Sequence, residues 1–310
     1  MTAVAERGDR SADTKAAGVI AVLCASLLWS FGGVLGKSAD APGVVLSFWR
    51  LMMSTVVLLV ASYALRRLPS WADVKASAVS GVLFGVNLCA FFITLQYTTI
   101  AVALIIGALS PVIALPIAVR FMGETFTPIK VGCALLAVGG VIVAVLTAPT
   151  ADTGGATKAV GYLWAVASLL IWVLYLLQTK RVRASVETVR YLTSVSTIAM
   201  LTVSVIVLVT RADLGQVHGA GWLWTALLAV GPGIGGHGLV AWAQPRIDAS
   251  VTSVLIQLEP VGASIAAWVF LHERVSFAQM SAMVAVVVAL SALAFSESRQ
   301  RVVVVDEALG

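Results

Sequence analysis

Two stretches, LSPVIALPIAVRFMGE (109–124) and LEPVGASIAAWVFLHE (258–273), decide the fold when laid against each other. Leu109, Pro111, Val112, Ala114, Ala118, Phe121 and Glu124 match Leu258, Pro260, Val261, Ala263, Ala267, Phe270 and Glu273, all at an offset of 149. Matches of Ala, Val or Leu come cheaply in so apolar a chain. A proline followed thirteen residues later by a glutamate, at the same place in each half, does not. Gly18, Trp29 and Lys37 match Gly161, Trp172 and Lys180 at an offset of 143. A few inserted loop residues account for the difference, so the chain holds an internal repeat of nearly half its length.

Composition says where such a repeat lives. Sixty per cent of the 310 residues are apolar and 11% are charged. A soluble domain is about 45–50% apolar and about 25% charged. The shortage of charge excludes an ordinary soluble enzyme, a disordered chain and a nucleic-acid-binding domain. The net charge of +5 is spread along the chain and forms no basic patch. Apolar runs lie near 17–36, 43–62, 75–95, 98–118, 128–147, 160–178, 188–210, 221–243, 250–271 and 277–296. Each is near the roughly 20 residues that cross a bilayer as a helix, and none alternates as barrel strands do. The expectation is an all-α integral membrane protein with ten transmembrane helices. The polar segment 1–16 reads as a flexible cytoplasmic tail. The repeats span 17–147 and 160–296, joined by a linker at 148–159, and 297–310 is a second cytoplasmic tail. The first run is too long for a signal-peptide core, so cleavage near Ala39-Asp40-Ala41 is not expected. Cys24, Cys89 and Cys133 form no CxxC pair or metal set, and no cofactor or metal is expected.

With ten alternating helices, 15 of the 20 Lys and Arg residues fall on the face shared by the two termini. Four fall on the other face, and Arg50 lies within a span. The positive-inside rule then places both termini in the cytoplasm of a bacterial inner membrane. Five helices per repeat is an odd number, so the two five-helix repeats are inverted relative to each other. That is a recurrent plan of secondary transporters, with the substrate near the midplane.

Leu258-Glu259-Pro260-Val261, with Ala266-Ala267-Trp268-Val269-Phe270-Leu271-His272-Glu273, resembles the last-but-one helix of EamA-like members of the drug/metabolite transporter superfamily. So do Leu109-Ser110-Pro111-Val112 with Gly123-Glu124, and Ser47-Phe48-Trp49-Arg50. The resemblance covers about 17–296. It implies ten helices, cytoplasmic termini, and export or exchange of small metabolites, amino acids or drugs by alternating access. The Glu-Pro pair is similar to that of amino-acid exporters but does not fix a substrate.

Glu259 is the one carboxylate near the middle of a span. A charge at that depth costs about 2.5–3.5 kcal/mol on insertion scales and normally faces a cavity or partner. It reads either as a site for protons or a substrate amine, or as a structural acid. Arg50 reads as a partner of Glu259, as a site for an anionic substrate group, or as a snorkelling cation. Pro111 and Pro260 remove the backbone bonds to Gly107 and Ile256, which permits bending or frees a carbonyl. The run Gly231-Pro232-Gly233-Ile234-Gly235-Gly236-His237-Gly238 is expected to break the eighth helix. Gly233 and Gly235 are its gating candidates, and His237 either lines a pathway or is a satisfied buried histidine.

Trp29, Trp172 and Tyr175 share a reading as cavity aromatics or core. Asn87 and Gln257 read as substrate contacts or interhelical hydrogen bonds. Trp71, Trp222 and Trp224 read as interface anchors. Glu124, one turn after Arg120, and Glu273 read as loop or interface residues, with gating as the alternative. The best-supported expectation is a secondary transporter with a small-molecule substrate, and with protons as a coupling ion. A channel, a lipid scramblase or an intramembrane enzyme are the alternatives. The sequence has no GxSG, no HExxH, no second mid-span acid and no Walker loop.

Overall fold

A computed structural model describes residues 2–98, 100–146, 158–271 and 276–299. The first span is α1 (Thr2–Ser30) with α2 (Gly32–Ser38), kinked at Phe31. α3 (Gly43–Ala64) and α4 (Trp71–Tyr97) are the second and third spans, and α5 (Ile100–Gly107) with α6 (Ser110–Met122) make the fourth. α7 (Pro128–Leu146), α8 (Lys158–Arg183) and α9 (Thr188–Thr210) follow. The eighth span joins α10 (Gly221–Leu228), a π-helical stretch (Ala229–Gly236) and α11 (His237–Ala243). α12 (Ala249–Leu255) with α13 (Leu258–Leu271) form the ninth, and α14 (Phe277–Arg299) the tenth. Six of these spans are helices long and apolar enough to cross a membrane. The helical plan of ten spans is therefore the observed one.

Three expectations change. The segment 2–16 is helical and continuous with the first span, not an irregular tail. It is alanine-rich and lacks proline, so nothing in it stops the helix. At the other end α14 runs on to Arg299. Residues 147–157, which include most of the linker, the segment 272–275 and the C-terminal residues 300–310 lie outside the described residues. The eighth span is not broken at its glycines but widened into π geometry.

Local chemistry sets the ends. Ser70 caps α4 by accepting from the Asp73 N–H while the Asp73 carboxylate accepts from the Ser70 N–H, a reciprocal capping box. Glu187 accepts from the Val189 and Arg190 N–H groups at the start of α9. Gly123 ends α6 in the left-handed region at φ 70°, where glycine has no Cβ penalty.

The apolar pattern is turned outward. Val60, Leu163, Leu208 and Val209 are all exposed, as a hydrocarbon solvent allows. Small and polar side chains face inward instead. Ser47, Thr94 and Thr179 satisfy themselves on the carbonyls four residues back, and Thr55 bonds Ser196 across α3 and α9. α4 packs along both α8 and α9. It approaches α9 closely at Gly81 and at Gly85, where a Cβ would sit 2.8 Å from the Ala199 carbonyl oxygen. Helix association in lipid depends on such small-residue contacts. Gly85→Leu is therefore expected to cost about 1–3 kcal/mol by overpacking. Thermal unfolding in detergent should show the lowered midpoint, and an unchanged midpoint would show that α4 and α9 do not meet there.

Candidate functional site

Three prolines shape the site. Before Pro111 the chain turns at Ala108-Leu109, and before Pro260 it turns at Ile256-Gln257, so the fourth and ninth spans are each interrupted at the same point of the repeat. The Ile256 carbonyl, which Pro260 cannot serve, takes the Glu259 N–H instead. The Gln257 side-chain amide donates to the Ala108 carbonyl. These two residues are 149 apart and hence equivalent in the repeat, so the pseudo-twofold axis passes between them.

The third proline, Pro232, would collide with the Leu228 carbonyl in α geometry, and the wider π turn accommodates it. π segments often mark functional sites. Here Trp29 Nε1 donates to the Pro232 carbonyl at 2.9 Å and Ser54 Oγ to the Ala229 carbonyl at 3.0 Å. Gly236 is what lets Trp29 in, since a Cβ there would lie 2.2 Å from Nε1. Gly233 faces Ser54 and Arg50, and Gly235 faces Leu28.

A cavity of about 150 Å³ opens where these elements meet. Trp29, Trp172, Phe91 and Phe92 give it aromatic walls, and Arg50, Glu259, His237, Asn87, Gln257, Ser110 and Thr94 give it polar ones. Arg50 and Glu259 therefore share one cavity, yet they form no ion pair with each other. The Arg50 Nε is buried without a hydrogen-bond partner, and its guanidinium lies 5.7 Å from the Phe92 ring centre. His237 Nδ1 is likewise buried and unpartnered. Its ring packs against Phe84 at 4.5 Å and Trp29 at 4.9 Å. Asn87 donates to the Ser168 carbonyl and hydroxyl, so it joins α4 to α8 as well as facing the cavity.

Tyr175 does not line the cavity. It stacks on Phe84, behind His237. Trp71 is exposed, whereas Trp222 meets Trp49 edge to face at 4.8 Å and Trp224 packs on the core around α9.

Sequence reasoning missed the ionic cluster at one end of the bundle. Glu124 accepts from the Ala249 N–H at 2.7 Å, the Ser250 N–H at 3.2 Å and the Ser250 hydroxyl. Lys130 pairs with Asp248, and Lys180 donates to the Ile247 carbonyl and lies 3.8 Å from Glu124. Hydrogen bonds to a buried charge contribute about 1.5–3 kcal/mol each. The exposed Arg67–Glu187 pair at the same end contributes about 0–1 kcal/mol. Glu124 therefore dominates this end. Its sequence counterpart Glu273, with His272, lies outside the described residues. The available signal was the joint recurrence of Glu124 with Glu273 and of Lys180 with Lys37.

Two five-helix repeats surround a charged, aromatic cavity. The EamA-like transporter family matches residues 16–146 and 159–295, so this chain belongs to that family and is a membrane transporter, not an enzyme. A solved structure titled only "Crystal structure of protein" aligns over 91% of this chain and 99% of its own. Its TM-score is 0.75 and its identity 20%, which speaks for the fold alone. No curated protein matches the chain.

Trp29→Phe leaves the Pro232 carbonyl without its side-chain donor. An unsatisfied buried group costs about 1–3 kcal/mol, so a matching fall in unfolding temperature is expected. Wild-type stability would mean that the π stretch does not need that donor.

Proposed function

We propose that the protein is a secondary transporter that binds one small solute at a time in the central cavity and carries it outward by alternating access. The observation that carries this reading is the presence, on the wall of one aromatic cavity, of an arginine whose Nε is buried without a hydrogen-bond partner and a glutamate with no ion pair among the described residues. A buried charge without a partner is costly, and a ligand that supplies the partner recovers that cost. A solute bearing both a carboxylate and an ammonium group meets both walls, with its carboxylate on Arg50 and its ammonium on Glu259. Amino acids are the simplest such solutes, and Trp29, Trp172, Phe91 and Phe92 suit an apolar side chain. Glu259 can hold a proton or the solute's cationic group, and that competition is a route to proton-coupled exchange. The charge count supports a cytoplasmic location for both ends of the chain, with 148–159 as the linker between repeats.

The test is a titration of the purified protein followed by tryptophan fluorescence. Amino acids, their amides and their N-acetyl derivatives present both charges, the cation alone and the anion alone. Only the zwitterions are expected to bind well. Arg50→Ala and Glu259→Gln should each weaken that binding about tenfold or more, since each removes a charge-assisted hydrogen bond. Glu259→Gln should also abolish proton-driven transport in liposomes. Equal binding of all three compound classes, or wild-type affinity in both variants, would overturn the reading.

A further inference from the structure

The repeat makes a comparison possible within the one molecule. α6 and α13 are equivalent at the offset of 149, and so are α12 and α5. The pair α6 and α12 is closely packed. The related pair α13 and α5 makes no comparable contact among the described residues, and the cavity lies against α5 at Ala103 and Leu104. An apolar layer of Ala114, Ala118, Val173, Leu177 and Ala249 fills the packed side. Beyond that layer stands the Glu124 cluster, with the Glu124 side chain only 3% exposed. It ties the end of α6 to the first two N–H groups of α12 and, through Lys180 and Asp248, to α8 and α7.

We propose that Glu124 is the latch of one gate: its bonds to Ala249 and Ser250 hold α12 against α6 and keep the cavity shut off from this end while the other end is parted. Glu124 touches no cavity atom and is a positioning residue, acting through the seat of α12. The inference rests on the alternating-access reading of the cavity. The geometry favours a latch over a simple helix cap for two reasons. Glu124 belongs to a different repeat from the helix it caps. α12 contributes no residue to the cavity lining, whereas its repeat counterpart α5 lines the cavity at Ala103 and Leu104. An open gate here must break the Glu124 bonds, because α12 cannot leave α6 while they persist.

Two equivalent positions report the two gates. Thr252 in α12 is fully buried, whereas its counterpart Ala103 in α5 is partly open to the cavity. Single thiols are introduced by Thr252→Cys or Ala103→Cys after Cys24, Cys89 and Cys133 are replaced by alanine. Their maleimide reactivity is measured in lipid nanodiscs. Before any latch mutation, the thiol at 103 should react and the thiol at 252 should resist.

Glu124→Ala should raise the reactivity at 252 and lower that at 103, each about tenfold or more, because one equilibrium links the two ends. Ser250→Ala, which removes only the hydroxyl bond, should move both reporters the same way by less. A rise at 252 with no fall at 103 would make Glu124 a structural cap and overturn the latch. No change at either position in either variant would overturn it as well. Zwitterion binding in the cavity, measured on the same samples, separates a failed latch from a failed transport reading. If binding persists, only the latch falls.

Discussion

At membrane depth no water is present to satisfy a backbone carbonyl or amide, so every interruption of a helix must be answered by protein. Three prolines interrupt three spans of this chain, and the site is built from the answers. Trp29 and Ser54 serve the carbonyls of the π stretch around Pro232. Gln257 serves Ala108 at the paired breaks of the fourth and ninth spans. Ser30 serves the Glu259 carbonyl at 3.0 Å, next to Pro260. Each donor comes from a different span than the carbonyl it serves. The need for satisfaction thereby pulls the first, second, fourth, eighth and ninth spans around one space. The cavity is what remains at their meeting point.

That space has an uneven surround. On one side stand an apolar layer and the Glu124 cluster, and on the other α5 lines the cavity itself at Ala103 and Leu104. Two repeats of related sequence occupy unlike environments in one molecule, which is what alternating access between inverted halves requires. The charges inside follow the same logic. Arg50 and Glu259 both stand on the cavity wall and form no ion pair with each other.

Much of this was legible in residues. The Pro-to-Glu spacing of thirteen marked the two interrupted spans, and their interruption falls at Ala108-Leu109 and Ile256-Gln257. The lengths of the apolar runs marked the spans, because bilayer thickness fixes how much helix is needed. Glu259, Arg50, Trp29, Trp172 and His237 stood out because polar or bulky groups at mid-span are costly, and all five line the cavity. Tyr175 takes the core side of its two readings, because spacing along α8 gives a shared helical face but not what stands in front of it. The glycine run misled. Its composition says that the helix is weak, while the π geometry depends on Trp29 and Ser54, more than 170 residues away in sequence. Lys130, Lys180 and Asp248 sit near span ends, where charged residues are common. Only the fold shows that they converge on Glu124.

The central claim is that a single cavity faces the two sides in turn, and counterflow tests it most directly. Liposomes containing the protein are loaded with an excess of the best-binding unlabelled zwitterion. They are then diluted into a trace of the same compound carrying a radiolabel. A carrier with one alternating site exchanges the two pools, so the label should rise transiently above its equilibrium level and then fall. Label that climbs to equilibrium and stops there, with no overshoot, would mean a continuous path through the membrane and would contradict the account.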